Sequence, residues 1–188
     1  MNDADRDAVR AIRGGERDAL AQLVQRYQGR LFGLMTMMVR NPVAAEDLAQ
    51  DAFVRAYTHL DHYDERRPFY PWLATIAVRL AQNWLQHRAR LEQREGVALD
   101  DTREPAAAAA ALTMMIADDR SRRLWQAVAG LPSAERTAVL LYYREELPVS
   151  DIARTLGVTS GTIKTLLFRA RRHLRERLGT ALAEEVLP

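Results

Sequence analysis

The sequence predicts an all-α protein built as two small helical domains joined by a flexible linker. Three observations lead there. Apolar residues recur at helical spacing along most of the chain. No strand pattern of any length interrupts them, and an acidic, alanine-rich stretch separates two halves of different character. The partition expected is a first domain over residues 1–92, a linker over 93–118 and a second domain over 119–188. At 188 residues the chain is long enough for each half to bury a core.

Asp3–Arg13 can form a short helix, and Gly14-Gly15 stops it. From Glu16 to Arg40, Leu20, Leu23, Val24, Tyr27, Leu31, Leu34, Met35 and Met38 fall at helical period on one thoroughly apolar face. The group Met35, Met37 and Met38 suits core filling better than an adaptable binding surface. Asn41 then supplies an N-cap and Pro42 the first helical position of a helix over Pro42–Leu60. One side of that helix carries Ala45, Leu48, Ala49, Ala52, Phe53, Ala56 and Leu60. The other carries Asp47, Gln50, Asp51, Val54 and Thr58 in a single exposed stripe. Periodicity alone asks of this stripe no more than solvation, with its N-terminal acids favoured by the helix dipole.

Asp61–Pro71, DHYDERRPFYP, reads as a polar, aromatic and proline-punctuated loop. Trp72–Arg90 reads as a helix with Leu73, Ile76, Ala77, Leu80, Ala81 and Leu85 inward. Trp72, Thr75, Arg79, Asn83 and Gln86 lie towards another side, a surface suited to bases and phosphates, although Trp72 and Trp84 also fit a core. Glu92–Asp118 is the linker candidate, with acids at Glu92, Glu95, Asp100, Asp101 and Glu104 before Pro105 and the run Ala106–Ala111. Beyond it, Asp119–Ala129 is helical up to Gly130. Leu131-Pro132-Ser133 starts another helix, Ala134–Arg144, with Val139, Leu140 and Tyr143 available to a core.

Pro148 opens the clearest pattern in the chain, Val149–Leu178. Apolar residues fall at Ile152, Leu156, Val158, Ile163 and Leu166/Leu167, with small Ala153 at the crossing and Gly157 at the turn. Two helices meeting steeply need that arrangement, so the stretch reads as a helix-turn-helix. Ser160 is the expected N-cap of the second helix. Gly161, Lys164, Thr165, Phe168 and Arg172 then face outward, opposite Ile163, Leu167 and Ala170. Side chains at the start of such a helix reach base edges in the major groove, and later cations hold phosphates. Thr165 and Phe168 suit thymine methyls, and Lys164 suits guanine. The same geometry also serves protein contacts, but cations beside this turn favour DNA.

Charge is distributed in two poles on a chain of formal net charge +2. Ser160–Leu178 sets Lys164, Arg169, Arg171, Arg172, Arg175 and Arg177 against Glu176, a net of +5. Ala44–Glu65 sets Glu46, Asp47, Asp51, Asp61, Asp64 and Glu65 against Arg55, a net of −5. Opposite poles imply two kinds of partner. The absence of cysteine excludes disulfides and thiolate chemistry. The N-terminus MNDADRDAVR is unlike a secretory signal, and the longest apolar run, Ala106–Ala117, is too short and alanine-rich to span a bilayer. A cytoplasmic protein without stable membrane insertion is expected. His59 and His62 beside Asp61 and Asp64 lack further ligands and fit solvated side chains better than a metal site. No phosphate-binding glycine loop, nucleophile elbow or triad is visible, so neither catalysis nor a cofactor is expected. On these residues alone, an ordinary helix-turn-helix regulator and a helical adaptor that binds only proteins both stay open.

Taken together, the two halves resemble a known family. EDLAQDAFVRAYTHLDHYDERRPFYPWLATIAVRLAQNWLQHRAR resembles region 2 of the extracytoplasmic-function class of sigma-70 factors. LPSAERTAVLLYYREELPVSDIARTLGVTSGTIKTLLFRARRHLRERL resembles region 4. The resemblance covers roughly Glu16–Leu178 and leaves no room for the region 3 of larger sigma factors. It implies a region 2 helical bundle, a region 4 helix-turn-helix, and a role in directing core RNA polymerase to promoters. Asp47, Gln50, Asp51 and Val54 fall where the family docks on the β′ clamp helices. The β flap is the other expected polymerase contact. His62, Tyr63, Phe69, Trp72, Arg79 and Asn83 fall where it reads and opens the −10 element around a base flipped from the non-template strand. Ser160, Gly161, Thr162, Lys164, Thr165, Phe168, Arg169 and Arg172 fall on the −35 reader. Arg79 stands where a close relative carries a smaller amide, and Leu166 where many members carry an arginine. The linker would thread towards the RNA exit path with its acids mimicking RNA, and a cognate anti-sigma factor is implied as a further partner.

Overall fold

The structure, a computed structural model, describes residues 3–95 and 119–178. The chain divides into two compact units, Met1–Leu99 and Asp100–Pro188. Among the described residues every regular element is helical. Of the expected linker, Glu92 and residues 93–95 continue a helix, with Glu92 paired to Arg88 at 3.2 Å, and residues 96–118 lie outside the described residues.

In the first unit, α1 (Asp3–Arg13), α2 (Ala19–Val39), α3 (Pro42–Thr58) and α4 (Phe69–Glu95) follow one another, with a single 3₁₀ turn at Leu60–His62. α2 is the central helix and packs against the other three. Its second half is apolar all round, and Leu31, Leu34, Met35 and Met38 have no exposed surface while Met37 is 4% exposed. The methionines therefore fill the core, as expected. α2 ends where Arg40 adopts a left-handed backbone, φ 58°, and its N–H bonds to Thr36 O. Gly15, at φ 98°, makes the turn after α1. α1 is fastened to α2 by the buried Asp5 carboxylate, which accepts hydrogen bonds from the Arg26 guanidinium and, at 2.6 Å, from the Tyr27 hydroxyl. Burial, and then the Asp5 hydrogen bond, push the Tyr27 pKa up to about 12.

α4 is longer than expected at both ends, beginning at Phe69 rather than Trp72 and running past Arg90 to Glu95. Pro71 accounts for the difference at the start. It sits in the first turn, where backbone N–H groups have no intrahelical acceptor, so proline removes nothing.

The second unit contains α5 (Asp119–Ala129), α6 (Ser133–Val139), α7 (Val149–Leu156) and α8 (Ser160–Leu178). Beyond Val139 the chain stays helical but widens through Leu140–Arg144, where Glu145 N bonds to Leu140 O at 3.0 Å. Leu140 and Leu141 are fully buried there. The underside of α8 presents Ile163, Leu167, Ala170 and Leu174 to this core, each at most 3% exposed. Each large side chain buried in this way stabilises the fold by about 1.5–3 kcal/mol. Buried polar groups tie the helices as well. Arg136 donates to Ala129 O and Leu131 O, and Glu135 bonds His173 of α8 at 2.7 Å.

Candidate functional site

The start of α3 is fixed by Asn41, whose Oδ1 accepts from Ala44 N at 2.8 Å, with Pro42 at the first helical position. That start sets the rotation of the helix. Ala45, Leu48, Ala49, Ala52, Phe53 and Ala56 turn inward, leaving Asp47, Gln50, Asp51 and Val54 exposed in one row. Among the described residues neither Asp47 nor Asp51 has an ion-pair partner, so both charges are available to a cationic surface. Val54, 60% exposed, adds an apolar contact beside them. Next to this row, Gln28, Gly29 and Phe32 of α2 and Glu46, Gln50 and Phe53 of α3 line an open groove of about 470 Å³.

The expected reading loop sits at the far end of α3 and divides into an exposed and a buried set. His62, Arg79 and Asn83 are exposed, and Trp72 is half-buried. Tyr63 and Phe69 are 4% and 1% exposed, so their rings do not form an outer surface. Of the residues expected at the −10 element, these two are the ones packed beneath the loop. In the sequence, an aromatic-rich loop gives no sign of which rings turn inward. Tyr63 stacks edge-on against Phe69 with centroids 5.6 Å apart, and Trp72 lies 5.0 Å from Tyr63 and 5.7 Å from Phe69. The Tyr63 hydroxyl donates to Arg67 O across the loop. Burial pushes its pKa up to about 12, with the nearby Asp5 and Glu65 carboxylates adding to the shift. Arg79 and Asn83, one turn apart, continue the exposed row along α4 from Trp72.

Arginines of α1 reach this loop, which sequence reasoning missed. Arg13 and Arg10 hold the Glu65 carboxylate at 2.6 and 3.1 Å. Arg13 also donates to Leu60 O at 2.7 Å and Tyr63 O at 2.8 Å, and Arg6 donates to Glu65 O at 3.3 Å. One signal was present, since Arg6, Arg10 and Arg13 recur at helical spacing beside the apolar set Ala8, Val9 and Ile12.

In the second unit, Gly157 takes the left-handed conformation, φ 68°, that the turn between α7 and α8 requires. α8 is capped by Thr159 and not by Ser160. Thr159 Oγ1 accepts from Thr162 N at 3.1 Å, so Ser160 is already the first helical residue. Both residues are good caps by type, and only the backbone decides between them. Val158, expected inside, is 40% exposed because it lies in the turn itself. Ser160, Gly161, Thr162, Lys164, Thr165, Phe168, Arg169 and Arg172 are all exposed. Phe168 is 65% exposed, unusual for a phenylalanine in a helix with a buried underside. Thr165 commits its hydroxyl hydrogen to Gly161 O at 3.0 Å, leaving a lone pair and a methyl for an outside partner. Leu166 is half-buried. The face is thus amphipathic at its start and cationic further on, the order in which a helix meets base edges and then phosphates.

The residues expected at −10 DNA and at polymerase therefore lie on the first unit, and those expected at −35 DNA lie on α8 of the second. Comparison with known proteins bears on both. The family model for sigma-70 region 2 matches residues 23–91, and that for sigma-70 region 4 matches residues 121–174. The chain is 31% identical over 182 residues to the ECF RNA polymerase sigma factor SigW of Bacillus subtilis, covering 90% of this chain and 94% of that protein. It is also 31% identical over 192 residues to the RNA polymerase sigma-H factor of Pseudomonas aeruginosa, covering 96% of each. Among solved structures, the fold resembles the sigma factor RpoE of Bartonella quintana, crystallised with the anti-sigma factor NepR. That match has a TM-score of 0.64 and 23% identity over 84% of this chain and 95% of that one. It likewise resembles CnrH in complex with the cytosolic domain of CnrY, with a TM-score of 0.62 and 23% identity over 93% and 97%.

Proposed function

The chain belongs to the extracytoplasmic-function class of the sigma-70 family, and on that premise we propose how its surfaces divide the work of promoter-specific initiation. The α3 row Asp47, Gln50, Asp51 and Val54 docks on the β′ clamp helices of core RNA polymerase, and the second unit meets the β flap. The exposed face of α8 reads −35 duplex. His62, Trp72, Arg79 and Asn83 capture unpaired −10 bases, while Tyr63 and Phe69 support the loop from beneath. Binding energy from captured bases offsets the cost of local melting, and no covalent step is involved. An anti-sigma factor holds the protein inactive by covering the polymerase-binding faces, a reading supported by the crystallised complex of one structural relative with an anti-sigma factor. The protein acts in the cytoplasm, where its polymerase is. No described helix is long and apolar enough to cross a membrane.

The observation that carries this reading is the pairing of two family regions, in order, with two chemically distinct exposed faces: unpaired acids on α3 and a cationic recognition face on α8. Run-off transcription with purified core enzyme tests it. The protein should direct start-specific transcripts that core enzyme alone does not produce. No transcript from a library of genomic promoter fragments would overturn the reading.

A further inference from the structure

Arg13 holds the turn on which the proposed −10 reading loop is built. One face of its guanidinium fork takes the Glu65 carboxylate at 2.6 Å; the other nitrogen takes Leu60 O at 2.7 Å and Tyr63 O at 2.8 Å. Those two carbonyls flank Asp61 and His62, both exposed in the 3₁₀ turn that opens the loop. Arg10 grips the second oxygen of the same Glu65 carboxylate at 3.1 Å, and Arg6 grips the Glu65 carbonyl at 3.3 Å. The Arg13 and Glu65 side chains are 28% and 26% exposed, so the contact is partly shielded from solvent. The helix bearing the arginines is itself anchored elsewhere, through the buried Asp5 with Arg26 and Tyr27 of α2 and through fully buried Val9. α1 therefore works as a strut. One end is fixed in the bundle, and the other fixes a loop more than forty residues away in sequence.

We propose that Arg13, with Glu65 and Arg10, is a positioning group for −10 recognition, holding the Asp61–His62 turn in its base-capturing shape before DNA arrives. The inference rests on the reading of this loop as the −10 reader. Only a planar fork with several fixed donors can serve a carboxylate and two carbonyls together; a lysine ammonium carries the same charge without that geometry. A loop ordered in advance loses less conformational freedom on capturing a base. If release of the turn leaves only about a tenth of molecules in the competent shape, apparent capture falls about tenfold. The effect should appear in discrimination between bases, because a loop of wandering shape holds right and wrong bases nearly alike.

The test uses holoenzyme reconstituted with the full chain and a promoter selected from a randomised pool by the wild-type holoenzyme. Binding is measured to templates pre-opened at −10, with the selected bases or with substituted ones, and the ratio of the two affinities is the readout. Loss of folded protein lowers both affinities and leaves their ratio unchanged, so mere destabilisation does not imitate the expected result. Arg13→Ala should keep core-enzyme binding and −35 duplex binding while the ratio falls about tenfold. Arg13→Lys should fall nearly as far, and Glu65→Gln less, since its amide still accepts from Arg13. An unchanged ratio in Arg13→Ala, or full rescue by Arg13→Lys, overturns the positioning role. Asn83→Ala separates this from the reading beneath it. If Asn83→Ala loses discrimination and Arg13→Ala does not, the strut alone falls. If the wild-type holoenzyme does not discriminate at −10, both fall.

Discussion

Thr159 and Ser160 are adjacent, both exposed and both suited by type to cap a helix, yet only Thr159 Oγ1 bonds the free N–H of Thr162. Loss of such a cap costs about 1 kcal/mol. Thr159→Ala should therefore lower the melting temperature of the second unit by a few degrees, and Ser160→Ala should leave it within error. Differential scanning calorimetry of the two variants decides the assignment, and the reverse order would return the cap to Ser160. Two tyrosines of the first unit make a second residue-level prediction. The hydroxyls of Tyr27 and Tyr63 are pushed up to about 12 by burial, from an ordinary value near 10. A raised folded pKa means that the native state favours the neutral phenol. This contribution is complete below pH 10 and is lost as pH rises from about 10 through about 12. Urea unfolding of the first unit should show stability falling across that window, more shallowly in Tyr63→Phe, which has no proton to lose. A Tyr63→Phe profile as steep as wild type would show that the loss comes from elsewhere.

Whole helices were more legible in the sequence than the contacts between them. The faces of α3 follow from period alone, because a helix packed on one side must alternate at 3.6 residues whatever its partner. What the exposed face is for does not follow from period, since solvation and docking ask for the same polar residues. The resemblance to a family carried that step. The start of α4 was hidden because Pro71 looks like a stop in sequence but is harmless in a first turn. The inward turn of Tyr63 was hidden because loops have no period to read. The grip of Arg13 on Glu65 was out of reach for a simpler reason: it joins residues 52 apart. For α3 itself, Asp47→Arg combined with Asp51→Arg should abolish co-purification with core polymerase. Both side chains are exposed and unpaired, so the helix content measured by circular dichroism should not change. Undiminished co-purification would remove α3 as the docking element.

At the scale of the molecule, the charge poles set what the protein can do alone. The cationic face of α8 is exposed, but Lys164, Arg169 and Arg172 give it few phosphate contacts, and Arg172 already lies 3.8 Å from Glu176. Each phosphate neutralised on B-DNA steepens the salt dependence of binding by about 0.9 in log–log slope. A handful of such contacts gives weak binding at physiological salt. The acidic pole of the first unit, Glu46, Asp47, Asp51, Asp61 and Asp64 with Glu65 already held by Arg10 and Arg13, repels duplex DNA further in the absence of a cationic partner. Polymerase is proposed to supply that cover together with the remaining DNA contacts. The free protein should therefore give no footprint on a promoter that the holoenzyme protects at both −35 and −10. In the holoenzyme, Lys164→Ala with Arg172→Ala should lower the salt slope by about 2 and weaken binding to −35 duplex, while −10 discrimination on pre-opened templates is retained. Nitrocellulose-filter binding across a salt series measures the slope, and hydroxyl-radical footprinting measures the protection. A footprint by the free protein over two half-sites about one helical turn apart would instead describe a dimeric helix-turn-helix regulator. The acidic face of α3 would then have no polymerase to dock on.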